Sequence, residues 1–333
     1  MITRDLREAI ARAVATAGLG AADPGLRPAG GPGRYASSVA FEFGHDPREI
    51  AGRLAEPLAA EPWISRADVT GPGYLTVTVT TQALAALADR IAGAGPDSAR
   101  SEALHGRTLA APAAVDLFAA ATWEEAREAL AVELTARLAA AAGATVFWGV
   151  ATVRSVREGG AAPSAGERRA AEVTAAIAFA GPDAVRFSLA RAVPGRPVRI
   201  DPEIIARHVP GNPAYAVRYA HARAASGVRW AATPGGAEAV PRRLPADPGE
   251  LALLDALSWL PERVATAARR GRPDEFARYL EELASVTIAT LSSARHPGSA
   301  PAPGSDRLAL ARAAQAGLAA GLELLGVSAP DRM

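Results

Sequence analysis

The sequence predicts an α+β protein that has a small N-terminal α/β domain, a short α/β segment in the middle and an all-helical C-terminal region. Residues 74–79 (YLTVTV) alternate between apolar and polar behind a Gly-Pro-Gly turn, which is typical of a strand in a hairpin. From Glu167 onward, apolar residues recur at helical spacing, and only two loops rich in Pro, Gly and Ala interrupt them, at 232–249 and 296–305. Strands therefore concentrate early in the chain and helices late, as in α+β proteins.

The predicted N-terminal domain covers residues 1–95. Asp46-Pro47 marks a helix start, because aspartate accepts hydrogen bonds at the N-cap and proline fits the first helical turn. Thr3 is the predicted cap of the first helix. The predicted elements are a helix at 3–18, a strand or short buried segment at 35–43, a helix from Pro47 that stops before Pro62, two strands within 64–79 and a helix at 81–92.

The middle segment, 104–166, is a predicted strand–helix–strand unit that follows a linker at 93–100. Its helix is capped by Thr122, since Glu125 stands three residues later and completes a capping box. The predicted order is a strand at 109–118, a helix from 123, a strand at 145–156, a flexible break at 158–166 and the helical region at 167–333.

The composition excludes several kinds of chemistry. The 333 residues contain no Cys, so thiolate nucleophiles, disulfides and Cys-based zinc sites are excluded. All basic residues apart from five His are arginines, and the net charge is only +1, so no global positive field indicates a nucleic-acid partner. Asp5 and Glu8 stand among the arginines of the first 18 residues, which is unlike a signal peptide, and no uncharged apolar run approaches the ~20 residues that span a bilayer. We therefore expect a soluble cytoplasmic protein without a membrane segment.

Three blocks resemble arginyl-tRNA synthetases and occur in the order found in that family. The first is RYASSVAFEF with DPREIAGRLAEPL and VTGPGYLTVTV, and the second is GPDAVRFSLAR followed by NPAYAVRYAHAR. The third is EFARYLEELA with the tail GVSAPDRM. The resemblance implies an additional N-terminal domain that touches the outer corner of tRNA, and a helical anticodon-binding domain toward which a Pro-acid-Arg-Met tail folds back.

The resemblance also assigns a signature and a set of tRNA contacts. The signature residues are Asp183, Ala184, Val185 and Arg186. A structural alternative makes Asp183 a helix cap that forms a surface ion pair with Arg186, three residues on. The candidate tRNA-binding residues interleave rings, which stack on bases, with guanidinium groups, which hold phosphates. They are Tyr215, Arg218, Tyr219, Arg223, Arg229 and Met333.

The tyrosines have a structural alternative as well, because an aromatic stripe at helical spacing is commonly core. The resemblance favours contact with a tRNA loop, and it predicts that Tyr219, Arg223 and Met333 lie close together. His221 is interpreted as a packed or hydrogen-bonded histidine rather than a catalytic one.

The middle of the chain departs from the family. Residues 106–180 stand where the resemblance implies a nucleotide-binding catalytic domain several hundred residues long. The HIGH motif is missing: Thr122, Trp123, Glu124 and Glu125 occupy its place. The KMSKS motif requires lysine, and PSAGERR (163–169) stands there with arginines only. Glu124, Glu125 and Glu128 with Arg127 are interpreted as a solvated helix face.

These observations leave three functions open. The leading prediction is a non-catalytic tRNA- or RNA-binding paralogue, a pseudoenzyme of translation, that needs no cofactor and has no catalytic or metal-binding residues. The second is an arginine–tRNA ligase, with ATP as cofactor, whose catalytic residues are unrecognised or supplied by a partner. The third is a protein-interaction module on a former anticodon-binding domain. The expected oligomeric state is a monomer.

Overall fold

The computed structural model describes most of the chain. The described residues are 2–111, 116–117, 120–149, 165–231, 247–292 and 305–333, with the backbone alone at 165–170 and 305–306. The chain divides into two compact units. Unit 1 comprises Met1–Ser98, Gly227–Glu262 and Ala289–Ala316, and unit 2 comprises Ala99–Ser226, Arg263–Ile288 and Gly317–Met333. The domain boundaries predicted from the sequence stay predictions.

A four-stranded antiparallel sheet forms the centre of unit 1. Its strand order is β1-β2-β4-β3, and the strands are β1 (Arg27–Pro28), β2 (Arg34–Ser37), β3 (Ile64–Thr70) and β4 (Tyr74–Val79). The predicted strand pair around the Gly-Pro-Gly turn is confirmed as β3 and β4. Gly73 in this turn has φ +136°, and a Cβ there would lie 2.8 Å from the carbonyl carbon of Pro47. Glycine is therefore required for the turn to close against Pro47 at the start of the preceding helix.

Three helices accompany this sheet: the second packs directly on β3 and β4, and the first packs against the other two. They are α1 (Ile2–Thr16), α2 (Pro47–Ala59) and α3 (Thr81–Ala94), with 3₁₀ turns at Val39–Phe43 and Gly95–Ala99. Asp46 accepts a hydrogen bond from the Arg48 amide at 2.9 Å, which confirms the predicted start of α2. The segment predicted as a strand or buried stretch at 35–43 is divided between β2 and a 3₁₀ turn, and the predicted linker contains the second 3₁₀ turn.

The prediction that Thr3 caps the first helix is wrong. Thr3 lies inside α1, is buried, and donates its hydroxyl to the Ser258 carbonyl at 2.7 Å. Ser258 ends α9 (Pro248–Ser258), a helix that belongs to unit 1 and packs against α3. The sequence placed this helix in the C-terminal region, and no local signal near Thr3 indicates a partner 255 residues away.

Polar groups at α9 connect it with the sheet. The Tyr35 hydroxyl lies 2.7 Å from Ser258 Oγ, and the Gly33 amide donates to Asp255 Oδ1 at 2.9 Å. Burial raises the pKa of the Asp255 carboxyl, although the hydrogen bonds from Gly33 and Trp259 oppose that shift. Burial likewise raises the pKa of the Tyr35 phenol. Each is a polar group whose neutral form is favoured by its surroundings.

Unit 2 contains a two-stranded parallel sheet and most of the described helical residues of the C-terminal half. The strands are β5 (Thr108–Ala111) and β6 (Thr145–Trp148). The remaining helices of the described residues are α4 (Trp123–Ala141), α5 (Ala165–Ala180), α6 (Pro182–Arg191), α7 (Pro202–Ile205), α8 (Pro213–Ala231), α10 (Leu260–Arg270), α11 (Pro273–Ser292) and α12 (Ser305–Leu325). The Thr122 hydroxyl accepts from the Glu125 amide at 3.1 Å, so the predicted cap of α4 is confirmed.

The helical prediction for 167–333 is confirmed over its described part, which contains no strand. Several predicted segments lie wholly or partly outside the described residues: the distal part of the strand at 109–118, the strand beyond 149, most of the break at 158–166, and most of the loops at 232–249 and 296–305. Among the described residues, the segment Arg307–Leu325 has the length and hydropathy of a bilayer span. In this protein 61% of that window is buried, as in a core helix.

Candidate nucleic-acid interface

The loop before α8 is organised by Asn212. Its side-chain oxygen accepts from the Ala214 amide at 3.2 Å, and its amide nitrogen donates to the carbonyls of Ile205 and Arg207 at 2.6 and 2.8 Å. The side chain thus starts α8 and also holds the end of α7. Pro213 occupies the first helical position, where its missing N–H has no cost.

A column of three stacked rings lies along the first turns of α8. His208 stacks on Tyr215 with ring centroids 5.4 Å apart, and Tyr215 stacks on Tyr219 at 5.6 Å. Tyr215 and Tyr219 are four residues apart, so they share one helix face. His208 is exposed, Tyr215 is half-buried and Tyr219 is 37% exposed. The tyrosines are therefore surface residues rather than core, and the column offers a ready stacking platform.

Sequence reasoning missed His208. It stands in the loop before α8 and not in the helix itself, so helical periodicity does not connect it with Tyr215. Only the folding of that loop by Asn212 brings the imidazole against the ring.

The arginines of α8 differ in their surroundings. Arg223 is half-buried and Arg229 is exposed in the last turn. Arg218 is engaged within the protein: its Nη2 lies 3.3 Å from Asp183 Oδ2 and donates to Ser328 Oγ at 3.1 Å. Arg223 is thus better placed than Arg218 to hold a phosphate.

Asp183 and Arg186 do not form the surface pair of the structural alternative. Asp183 pairs with Arg218 and accepts from the amide of Ser328 at 3.1 Å and from its hydroxyl. Arg186 pairs with Glu133 of α4 and donates Nε to the Leu325 carbonyl at 2.6 Å. Asp183 therefore binds the segment that follows α12, and Arg186 binds the last residue of that helix.

The C-terminal segment is also bound by α8. His221 is 3% exposed, and its Nδ1 lies 3.0 Å from the Pro330 carbonyl. The carbonyl only accepts, so Nδ1 carries the proton in this hydrogen bond. The interpretation of His221 as a packed, hydrogen-bonded histidine is confirmed. Met333 is 51% exposed, and its predicted proximity to Tyr219 stays a prediction.

The interpretation of the α4 start as a solvated charged face is wrong for Arg127. Glu124, Glu125 and Glu128 are exposed, but Arg127 is only 5% exposed. Its Nη1 donates to the carbonyls of Val193 and Arg196, at 3.1 and 2.7 Å. These carbonyls come from a loop more than 60 residues away, which the charge pattern of a single helix does not reveal.

Unit 1 carries a second aromatic and basic cluster, which sequence reasoning also missed. Phe41, 39% exposed, packs on Tyr74 with centroids 4.8 Å apart. The Arg27 guanidinium lies 3.7 Å from the centroid of the Tyr74 ring. At this distance a cation–π attraction joins the guanidinium to the ring.

Comparison with known proteins accounts for both ends of the chain. Residues 3–79 match the arginyl tRNA synthetase N terminal domain, and residues 217–333 match the DALR anticodon binding domain. The chain is 40% identical over 162 residues to the arginine–tRNA ligase of Paenarthrobacter aurescens and 38% identical over 161 residues to that of Frankia alni. These alignments cover 47% and 46% of this chain, and 30% and 29% of the relatives.

A solved structure shares the fold. The Thermus thermophilus arginyl-tRNA synthetase superposes with a TM-score of 0.66 at 17% identity, and the superposition covers 100% of each chain. At that identity the likeness shows the fold alone.

The two matched domains and the fold define an aminoacyl-tRNA synthetase-like protein. The chain is arginyl-tRNA synthetase-like, with the N-terminal and anticodon-binding domains that the sequence predicted. It spans about 30% of the length of the curated relatives it matches.

Proposed function

We propose that this chain binds tRNA in the cytoplasm through the exposed aromatic face of α8 and does not activate arginine. The observation that carries the binding proposal is the ring column of His208, Tyr215 and Tyr219, which ends in an exposed tyrosine. Unpaired bases of RNA loops stack on such rings, and each base–ring contact contributes about 1–3 kcal/mol.

The distribution of charge also favours RNA binding at this face of α8. The net charge of +1 provides no general attraction for RNA, so binding depends on local arginines such as Arg223 and Arg229 on α8. The cluster of Phe41, Tyr74 and Arg27 gives unit 1 a similar combination of ring and guanidinium. We propose it as the contact with the outer corner of the same tRNA.

The absence of adenylation is proposed from the sequence. Adenylation requires positive groups oriented on the ATP phosphates where charge develops. The chain has no lysine, and the residues at the expected first motif are Thr122, Trp123, Glu124 and Glu125. Glu124 and Glu125 are exposed carboxylates at the start of α4, and they repel a triphosphate. Pro163 and Ser164 of the second expected motif lie outside the described residues, and 165–169 begin α5.

A binding titration tests the proposal. Fluorescence anisotropy with a panel of purified tRNAs, repeated across a salt series, should show saturable binding that weakens with salt. Tyr219→Ala should weaken binding by about 1–3 kcal/mol through lost base stacking. The matched control is Phe179→Ala, which removes a ring that is 65% exposed on α5 and should change the affinity less than twofold.

Two results would overturn the proposal. No tRNA binding by the wild-type protein would remove the RNA function and favour the protein-interaction alternative. Arginine-dependent ATP–pyrophosphate exchange by the purified protein would establish the ligase alternative instead.

A further inference from the structure

We propose that Asp183, Arg186 and Arg218 are positioning residues that fix the C-terminal tail at the RNA-binding face and do not touch RNA themselves. The tail is defined here as residues 326–333, and the three side chains together with Glu133 are called the clasp. The inference rests on the proposed function, since it assigns the tail a role in holding the same tRNA.

The first contact of the clasp is a carboxylate shared by three donors. Asp183 lies in the first turn of α6, and it accepts from the Ser328 amide, the Ser328 hydroxyl and Arg218. Arg218 Nη2 completes the ring by donating to Ser328 Oγ. The side chains of Arg218 and Asp183 are only 24% and 26% exposed, so water competes less for these bonds than at an open surface pair.

The second contact fixes the turn where the tail leaves α12. Arg186 Nε donates to the carbonyl of Leu325, the last residue of α12, which lacks an intrahelical partner of its own. Gly326 has φ +67°, and a Cβ there would lie 2.5 Å from Arg186 Nε. The guanidinium therefore occupies the space of a side chain at 326, and the turn depends on both residues.

The clasp and His221 together limit how far the end of the tail can move. Pro330 is held by the buried His221 of α8, and three residues of at most ~3.6 Å each remain beyond it. Met333 is thus confined to about 11 Å from Pro330. Tyr219 precedes His221 by two residues, about 3 Å along the helix axis. A tail held by the clasp and by His221 is confined near α8, whereas a released tail is tethered only at Leu325.

The charges argue against direct RNA contact by the same residues. Asp183 is anionic and repels phosphate, and its pairing with Arg218 neutralises that guanidinium. Arg218 Nε is buried and has no hydrogen-bond partner among the described residues, so this nitrogen is not presented to solvent. Arg218, predicted from the sequence as a tRNA contact, is reassigned here to holding the tail.

The clasp can be tested without RNA. Amide hydrogen exchange of the C-terminal peptide, followed by mass spectrometry, measures the protection of the Ser328 N–H, which donates a hydrogen bond to Asp183. Asp183→Ala should accelerate this exchange by about tenfold or more, since an opened segment loses its protection. Glu172→Gln is the matched control: it removes one exposed carboxylate of unit 2 from α5 and should leave the exchange unchanged. Far-UV circular dichroism checks that each variant is folded.

Measurements of tRNA binding distinguish a positioning role of Arg218 from direct contact with RNA. Arg218→Met should weaken tRNA binding by about tenfold, within the range of coupled neighbours, with an unchanged slope of log affinity against log salt. A true phosphate contact would lower that slope by about 0.7–0.9. In a chain lacking residues 330–333, neither Asp183→Ala nor Arg218→Met should weaken binding further.

Each outcome decides a separate point. Failure of the wild-type protein to bind any tRNA would sink the proposed function, while hydrogen exchange would still test the clasp. Unchanged exchange in Asp183→Ala would overturn the clasp, even with tRNA bound normally. Faster exchange with unchanged affinity would show that the clasp has no role in RNA binding. A smaller salt slope in Arg218→Met, or further loss in the shortened chain, would return these residues to the RNA contacts.

Discussion

Replacing Arg186 by methionine should destabilise unit 2, because the guanidinium compensates a buried carboxylate. The side chain of Glu133 is only 1% exposed, and Arg186 is 12% exposed. Removing one partner of a buried ion pair costs about 3–5 kcal/mol. Arg137 remains 2.9 Å from Glu133 in the variant, so we expect the low end, about 3 kcal/mol.

Urea unfolding followed by circular dichroism measures this loss, with the slope m compared between variants to verify the same unfolded reference. At roughly 2–4 °C per kcal/mol for a unit of this size, the melting temperature should fall by about 6–12 °C. The control is Arg270→Met, which breaks a pair with Glu275 whose side chains are 63% and 34% exposed. Such surface pairs contribute about 0–1 kcal/mol.

The double variant Arg186→Met, Glu133→Gln should recover part of the loss, because the buried negative charge has been removed with its partner. Equal losses for Arg186→Met and Arg270→Met would refute the reasoning, since the buried pair would then be worth no more than an exposed one. So would a double variant as unstable as the sum of two separate losses.

Two further predictions concern backbone and pH. Because burial raises the pKa of Asp255 above its ordinary value of 3.8, its contribution to stability is complete below that value and is lost as pH rises through the folded-state pKa. Asp255→Asn keeps an oxygen that accepts from the Gly33 amide, so it should stabilise unit 1 at neutral pH. Urea unfolding at several pH values should show that this gain in stability disappears near pH 3. A gain that is independent of pH would contradict the prediction. Gly326→Ala should cost about 1–3 kcal/mol, from a left-handed backbone and contact with Arg186, whereas Gly195→Ala, also left-handed but with open space around it, should cost less in the same melting experiment; equal losses would show that the contact is unimportant.

The sequence predicted those elements whose signals are local. Asp46 and Thr122 cap helices through amides two and three residues away, so the residues that make the bond are neighbours in the sequence. The strand pair β3 and β4 is joined by a short turn and alternates in the same window. The family resemblance located the anticodon-binding region for the same reason, since its signature is a contiguous string of residues.

The sequence failed where a side chain binds a partner that is distant along the chain. Arg127 has the charge pattern of a solvated helix face, but the carbonyls it binds belong to a loop beyond residue 190. Thr3 stands where a cap is expected, yet its hydroxyl is used by α9. Asp183 and Arg186 have the spacing of a helix-surface pair, and each binds a different long-range partner. Spacing within one helix gives no information on such pairings.

These long-range contacts suggest why α4 persists in a chain without recognisable adenylation motifs. Glu133 of α4 holds the Arg186 guanidinium, Arg137 of the same helix donates to the Glu323 carbonyl, and Arg127 binds the loop after α6. The segment that resembles a catalytic domain therefore supplies charged partners to the parts of unit 2 that carry the signature and the tail. Loss of this helix would leave the Arg186 guanidinium without its carboxylate, and the turn at the end of α12 without its anchor. Under the proposed function, α4 is retained for the geometry of the RNA-binding face rather than for chemistry.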